Sequence, residues 1–197
     1  MTRVALFGGS FNPPHVAHQL VALYVLETQP IDELWFVPVW DHVFGKQLAP
    51  FPDRVAMCEV ACAALGPRAK VDRGEEELAK LPGFQGSRTL DLIEHLVATR
   101  PGLEPRLLIG TDILGDTAKW YRWDAVVAAA PLIVVGRPGH ALPDGSSATG
   151  LTMPEVSSTQ IRAALHDRSS REAALLPSLL PASVLEYIDS RSLYRNP

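Results

Sequence analysis

The sequence predicts an α/β fold: a doubly wound, Rossmann-like parallel sheet with helices on both faces. Two observations carry this. Short apolar runs that read as buried strands alternate along the chain with stretches whose apolar spacing is near 3.6. Two of those runs end in Gly8-Gly9 and in Gly110-Thr111-Asp112, at the carboxyl ends where such sheets bind ligands.

Taken in order, Val4–Phe7 is the first strand and His15–Thr28 the helix behind it. Leu34–Val39 is a second apolar strand, followed by a helix over Phe51–Leu65 and a weaker strand at Ala69–Asp72. Thr89–Thr99 has helical spacing, Arg106–Gly110 reads as a strand, and Ala125–Ala129 with Leu132–Gly136 completes the alternation. The Gly-, Pro- and Ser-rich stretch from Arg137 to Ser147 reads as a surface loop. The run Pro177-Ser178-Leu179-Leu180-Pro181 reads as a bend between two helices of one domain, not as a linker. A single domain over residues 1–197 is expected, with 158–197 as its C-terminal helical part.

At 197 residues the chain is long enough to bury a sizeable core. Its 18 Lys and Arg stand against 22 Asp and Glu, which argues against a nucleic-acid partner, because no broad basic face can be built from that balance. No apolar run approaches a membrane span or signal sequence, so no membrane partner and a cytoplasmic location are expected. Cys58 and Cys62 lie four apart on one helical face and read as a buried reduced pair, not as a metal site or a disulfide. Apolar helix faces serve a core or a homo-oligomer interface equally well.

Two islands carry chemistry. In Gly8-Gly9-Ser10-Phe11-Asn12-Pro13-Pro14-His15-Val16-Ala17-His18, the glycines lack the Cβ that would keep a polyphosphate off the backbone, and the following helix start offers N–H groups to anions. His15 and His18, one helical turn apart, share a face and can donate to the same oxygens. The second island, Ser157-Ser158-Thr159-Gln160-Ile161-Arg162, opens a helix with three hydroxyls and adds a permanent cation whose fork suits phosphate. There is no G-x-x-x-x-G-K-[ST] loop, no G-x-S-x-G elbow and no metal-spaced Cys or His cluster, which removes P-loop kinase, hydrolase and zinc readings.

With these islands the chain resembles the nucleotidyltransferase superfamily bearing HxGH and SSTxIR signatures, and within it the bacterial nicotinate-nucleotide adenylyltransferases. The likeness continues through Ile109-Gly110-Thr111-Asp112, Trp120-Tyr121, Leu132 to Gly139, and the tail from Leu175 to Tyr194. It implies a nucleotidyltransferase-type fold and adenylyl transfer from ATP to nicotinate mononucleotide, by in-line attack without a covalent intermediate. The protein then has to position two anions and neutralise charge moving toward pyrophosphate.

On that mechanism His18 is the expected donor to the α-phosphate, with His15 helping to hold the triphosphate. Arg162 with Ser158 and Thr159 grips the leaving group. Mg²⁺ is expected to be carried with ATP, with no protein metal site. Gly8, Gly9, Ser10 and Phe11 belong to the expected ATP site, and the resemblance adds Gly110 and Asp112. Asp112 can equally be a helix N-cap. For the acceptor, the resemblance implicates Trp120 and Tyr121 as a flat face for a pyridine ring and Thr89 near its carboxylate. Lys46 is a cation for the mononucleotide phosphate or a solvated surface lysine.

Departures from the family pattern concentrate on the acceptor side. Ala17 stands for the glycine of HxGH, Gly86-Ser87-Arg88-Thr89 for the usual Pro-Ser-Tyr-Thr, and Leu92 for a customary Thr. The segment Val39 to Lys46 also differs from the family's Asn- and Pro-rich loop. Nicotinamide mononucleotide, phosphopantetheine or CTP as a partner therefore stay open, as does a noncatalytic nucleotide sensor on the same scaffold.

Overall fold

Alternate residues of the strand Thr2–Gly9 (β1) face opposite ways: Ala5 and Phe7 join one apolar cluster, Val4 and Leu6 another. The same alternation runs through Glu33–Pro38 (β2), where Leu34 and Phe36 oppose Trp35 and Val37. A sheet with both faces apolar has to be covered on both sides. That is what the computed structural model, which describes residues 1–41, 48–136, 139–140, 154 and 156–195, contains.

With Ala69–Val71 (β3), Leu103–Gly110 (β4) and Leu132–Val135 (β5), the sheet has five strands in the order β3-β2-β1-β4-β5, every neighbouring pair parallel. The doubly wound expectation is met, strand for strand. Val16–Thr28 (α1) and Phe51–Ala63 (α2) pack with Ala5, Phe36 and Leu108 on one face. Thr89–Thr99 (α4) and Trp123–Ala129 (α6) cover Val4, Leu6 and Leu107 on the other.

Boundaries shift where ladder bonds and turns outweigh apolarity. β1 and β4 begin earlier than their apolar runs, because Thr2 and Arg3 pair with Leu103 and Glu104 and share main-chain bonds. The first helix starts at Val16 with His15 as its N-cap. α2 stops at Ala63 instead of Leu65, just before Gly66 turns at φ +82°. α6 begins at Trp123 because Arg122 reverses the chain at φ +52°. The short Gly74–Ala79 helix (α3) has no apolar period to announce it.

Beyond the sheet, Ser158–His166 (α7), Leu176–Leu179 (α8) and Ala182–Ser190 (α9) form a helical annex, with the short Thr111–Leu114 helix (α5) lying at the end of β4. The annex buries Ile161, Leu165, Leu176, Val184 and Ile188 against Met57 and Ala61 of α2. α2 is therefore shared between the sheet and the annex. Cys58 and Cys62 are both buried and reduced on it. Burial pushes the Cys62 thiol up to about 12 and the Cys58 thiol well above its ordinary range. The loop expected at 137–147 lies almost wholly outside the described residues.

Candidate functional site

The strand order reverses between β1 and β4, since β2 and β3 extend to one side and β5 to the other. The carboxyl ends of these two central strands are Gly8-Gly9 and Ile109-Gly110, and the crevice outside such a switch point is where doubly wound sheets bind ligands. Two of the sequence's candidate segments therefore meet by topology alone.

Gly8 has open space where a Cβ would be, as a close-approaching ligand needs, whereas a Cβ on Gly9 would lie 3.1 Å from the Phe11 ring. Phe11, at φ +44° and 1% exposed, turns its ring under the loop, so any ligand meets its backbone and not its side chain. That ring forms part of an aromatic floor with Phe7 and Phe36. His18 rests on the floor edge-on to Phe11, with ring centroids 5.0 Å apart.

His15 is buried and stacks on His18 with centroids 3.8 Å apart. Its main-chain N–H donates to His18 Nδ1 at 3.1 Å. An amide N–H can only donate, so Nδ1 is the acceptor nitrogen and the neutral ring carries its proton on Nε2. His18 is thereby fixed as a donor through Nε2. His15 sits behind it as its backing, a more buried position than the shared-face reading of the sequence implied.

The Ser-Ser-Thr island docks directly onto the histidine island. Ser157 is the N-cap of α7 and accepts from the Gln160 amide. Ser158 Oγ donates to the Pro13 carbonyl at 3.0 Å, and Arg162 Nη1 donates to the Asn12 carbonyl at 2.8 Å. Arg162 Nη2 also donates to Thr159 Oγ1 at 3.2 Å. A guanidinium carries five N–H donors, so these two bonds aim the fork without exhausting it. Arg162 lies in the second turn of α7.

Gly110 is the N-cap of α5 and Asp112 lies in its first turn, so Asp112 is not the N-cap that the sequence also allowed. On the outer side of β4, Trp120 packs edge-on to Trp123 at 5.3 Å and is part-buried in the second apolar cluster. Tyr121 is 48% exposed, with the Arg88 guanidinium 4.5 Å from its ring centre. Thr89 opens α4 directly after Arg88, its N-cap. Lys46 lies outside the described residues.

The residues that hold these segments together are not among those that the sequence marked for the site. Arg54, 1% exposed, donates from Nε to Ala49 O at 3.0 Å, from Nη1 to Ser10 O at 3.0 Å and from Nη2 to Trp40 O at 3.2 Å. Burial lowers its pKa. Asn12 Oδ1 accepts from the Ala49 N–H at 3.0 Å and from Tyr194 Oη at 2.9 Å. A signal for Arg54 existed: it falls in the apolar stripe Phe51, Val55, Cys58, Cys62, where a charge is costly unless it is bonded. No local pattern announces Asn12 or Tyr194, 182 residues apart.

Among the described residues no helix is long and apolar enough to cross a membrane, and no group of three or more His, Cys, Asp or Glu could hold a metal ion. Residues 6–164 match the family model described as cytidylyltransferase-like. A relative from Anaeromyxobacter dehalogenans, named a probable nicotinate-nucleotide adenylyltransferase, is 45% identical over 192 residues, covering 98% of this chain and 96% of its own. One of the same name from Myxococcus xanthus is 42% identical, covering 98% and 94%. In fold the chain is similar to Plasmodium falciparum nicotinic acid mononucleotide adenylyltransferase complexed with NaAD, with a TM-score of 0.80, 18% identity and 98% of both chains covered.

Proposed function

The chain belongs to the nicotinate-nucleotide adenylyltransferase family, and on that premise we propose that it transfers the adenylyl group of ATP to nicotinate mononucleotide. The products are deamido-NAD and pyrophosphate, a step of NAD biosynthesis. One observation supports this reading above the others. The hydroxyl and guanidinium donors of α7 are bonded to Pro13 and Asn12, beside a histidine fixed as a donor, at the switch point of the sheet.

A phosphate oxygen of the acceptor attacks the α-phosphorus of ATP in line. As that bond forms, the bond to the bridging oxygen breaks and pyrophosphate leaves with the electron pair. The acceptor supplies its own nucleophile, so the protein needs no base. Its work is to align two anions and to stabilise charge that shifts from the α-phosphate to the leaving group.

His18 donates through Nε2 to an α-phosphate oxygen, held in aim by the Phe11 ring, the His15 ring and the His15 N–H. His15, stacked on His18, backs that donor at the triphosphate. Gly8, Gly9, Ser10 and the Phe11 backbone let the phosphates approach the main chain, and Arg162 with Ser158 and Thr159 receives the pyrophosphate. Gly110 and Asp112 flank the nucleoside. Trp120, Tyr121, Thr89 and Lys46 take the acceptor. The described donors are N–H and O–H groups suited to phosphate oxygens, so Mg²⁺ would be carried into the site by ATP. When bound it neutralises triphosphate charge.

The test is pyrophosphate release by the purified chain with Mg²⁺, with ATP and CTP each set against nicotinate mononucleotide, nicotinamide mononucleotide and phosphopantetheine. Selective turnover of ATP with nicotinate mononucleotide is expected. Selective turnover of another pair would overturn the acceptor or donor assignment, and ATP binding without turnover of any pair would point to the sensor.

A further inference from the structure

Glu75 is a carboxylate with no part in the mechanism above, yet it is only 2% exposed. Its burial is built in. α3 lies so close to α4 that a Cβ on Gly74 would come within 2.7 Å of Leu96 Cδ2 and 3.2 Å of Leu92 Cδ1. The approach is secured by Asp72, which accepts from the Gly74 N–H at 2.7 Å and pairs with Arg100, the C-cap of α4, at 3.3 Å.

Glu75 Oε2 accepts from the Trp40 N–H at 3.2 Å and from Ser87 Oγ. Ser87 Oγ in turn accepts from the Asp41 N–H at 3.3 Å. One buried oxygen thus joins the segment that leaves β2 to the segment that enters α4. The far side of the Trp40 residue is held as firmly, because Arg54 donates to its carbonyl while donating also to Ser10 of the phosphate loop. A continuous line of part-buried bonds runs from Ser10 through Arg54, Trp40 and Glu75 to Ser87, two residues before Thr89.

We propose that Glu75 is a positioning residue for the transfer reaction: by tying Trp40 to Ser87 it sets the acceptor side of the site at a fixed distance from the phosphate loop. A segment already held in its binding position spares the acceptor the cost of ordering it, so loosening the tie lowers acceptor affinity. Burial raises the Glu75 pKa, and the bonds from Ser87 and Trp40 and the nearby Arg54 charge pull it back, so these partners keep the carboxylate usable as an acceptor. The inference rests on the assignment of the Thr89 side to the acceptor.

The experiment compares Glu75→Ala, Glu75→Gln and Ser87→Ala in the full chain by steady-state pyrophosphate release, with acceptor and ATP varied in turn. Glu75→Ala should raise the acceptor KM about tenfold, the scale of one charged hydrogen bond, with the ATP KM little changed. Glu75→Gln should recover most of that loss, because its amide fills the same space and its oxygen still accepts from Trp40. If Glu75→Ala does not fold, Ser87→Ala must show a smaller rise confined to the acceptor KM. Equal effects on both KM values, or a fall in thermal stability alone, would overturn the proposal.

Hydrogen exchange gives a readout that needs no turnover. Glu75→Ala should deprotect the amides of 40–41 and 86–89 together and leave Gly8 and Gly9 unchanged. Unchanged exchange at 40–41 and 86–89 would overturn the positioning role. Joint deprotection in a chain silent on nicotinate mononucleotide would instead uphold the bridge and overturn the acceptor assignment.

Discussion

The two sides of the crevice are built by different means. On the phosphate side, Ser158, Arg162 and Arg54 all donate to main-chain carbonyls of the 10–13 loop, across separations of 145, 150 and 44 residues. On the side proposed for the acceptor stand an exposed Tyr121, the Arg88 guanidinium over its ring and a part-buried Trp120, with Glu75 bonded to Ser87 just before Arg88. Side-chain donors on backbone acceptors fix a loop's shape whatever its side chains are. Aromatic faces with a solvent-facing edge leave room for substitution, and there the chain departs from the family pattern, at Arg88 and Leu92.

If the two sides differ in this way, damage to the first should fall on kcat and damage to the second on acceptor choice. The largest effect is expected at His18→Ala. Loss of one transition-state donor should lower kcat about 10²–10³-fold, roughly 2.7–4 kcal/mol, while a thermal melt stays near that of the parent. A melt that shifts with unchanged kcat would place His18 in the fold instead. Arg162→Ala comes next. Removing a charged donor that also holds Asn12 should lower kcat about 10- to 10²-fold and leave the acceptor KM less affected.

Arg88→Ala should sharpen the contrast from the other side. An ion pair between a partly exposed arginine and the acceptor carboxylate contributes about 0.5–1 kcal/mol. The ratio of kcat/KM for the nicotinate over the nicotinamide mononucleotide should therefore fall only about two- to fivefold, with kcat on the better acceptor unchanged. An unaltered ratio would leave Arg88 as a surface residue.

The smallest effect concerns the tie itself. Glu75 has a raised pKa in the fold, chiefly through burial. Its contribution to stability is thus greatest below the ordinary carboxylate range and is lost as pH rises through the raised value. Glu75→Gln should consequently be at least as stable as the parent in chemical denaturation at about pH 8, with the difference closing toward about pH 4. A Gln variant that is less stable at high pH would mean that charge pairing with Arg54 outweighs desolvation.

Much of this was legible in the sequence, and the reason is locality. A strand's period of two and a helix's period of 3.6 are local properties, so Val4–Phe7, Leu34–Val39 and Leu132–Gly136 could be read from their own residues, as could the reduced state of Cys58 and Cys62. The two polar islands stood out because glycines, histidines and hydroxyls at strand ends are rarely there for packing alone. The short α3 helix was not legible, because Glu75-Glu76-Glu77 carries no apolar period and the helix is held by Asp72 and by contact with Leu92 and Leu96.

The parallel alternation and the placing of two candidate segments at the carboxyl ends of strands were determined by the sequence pattern alone. Only the tertiary structure decided how the islands are joined. It turned Arg54 from a charge misplaced in an apolar stripe into the hub of the phosphate loop, set His15 behind His18, and made Glu75 the link to Ser87. Each of these is a bond to a group distant in the chain, and a hydrogen bond depends on where two groups come to lie, which no local period encodes.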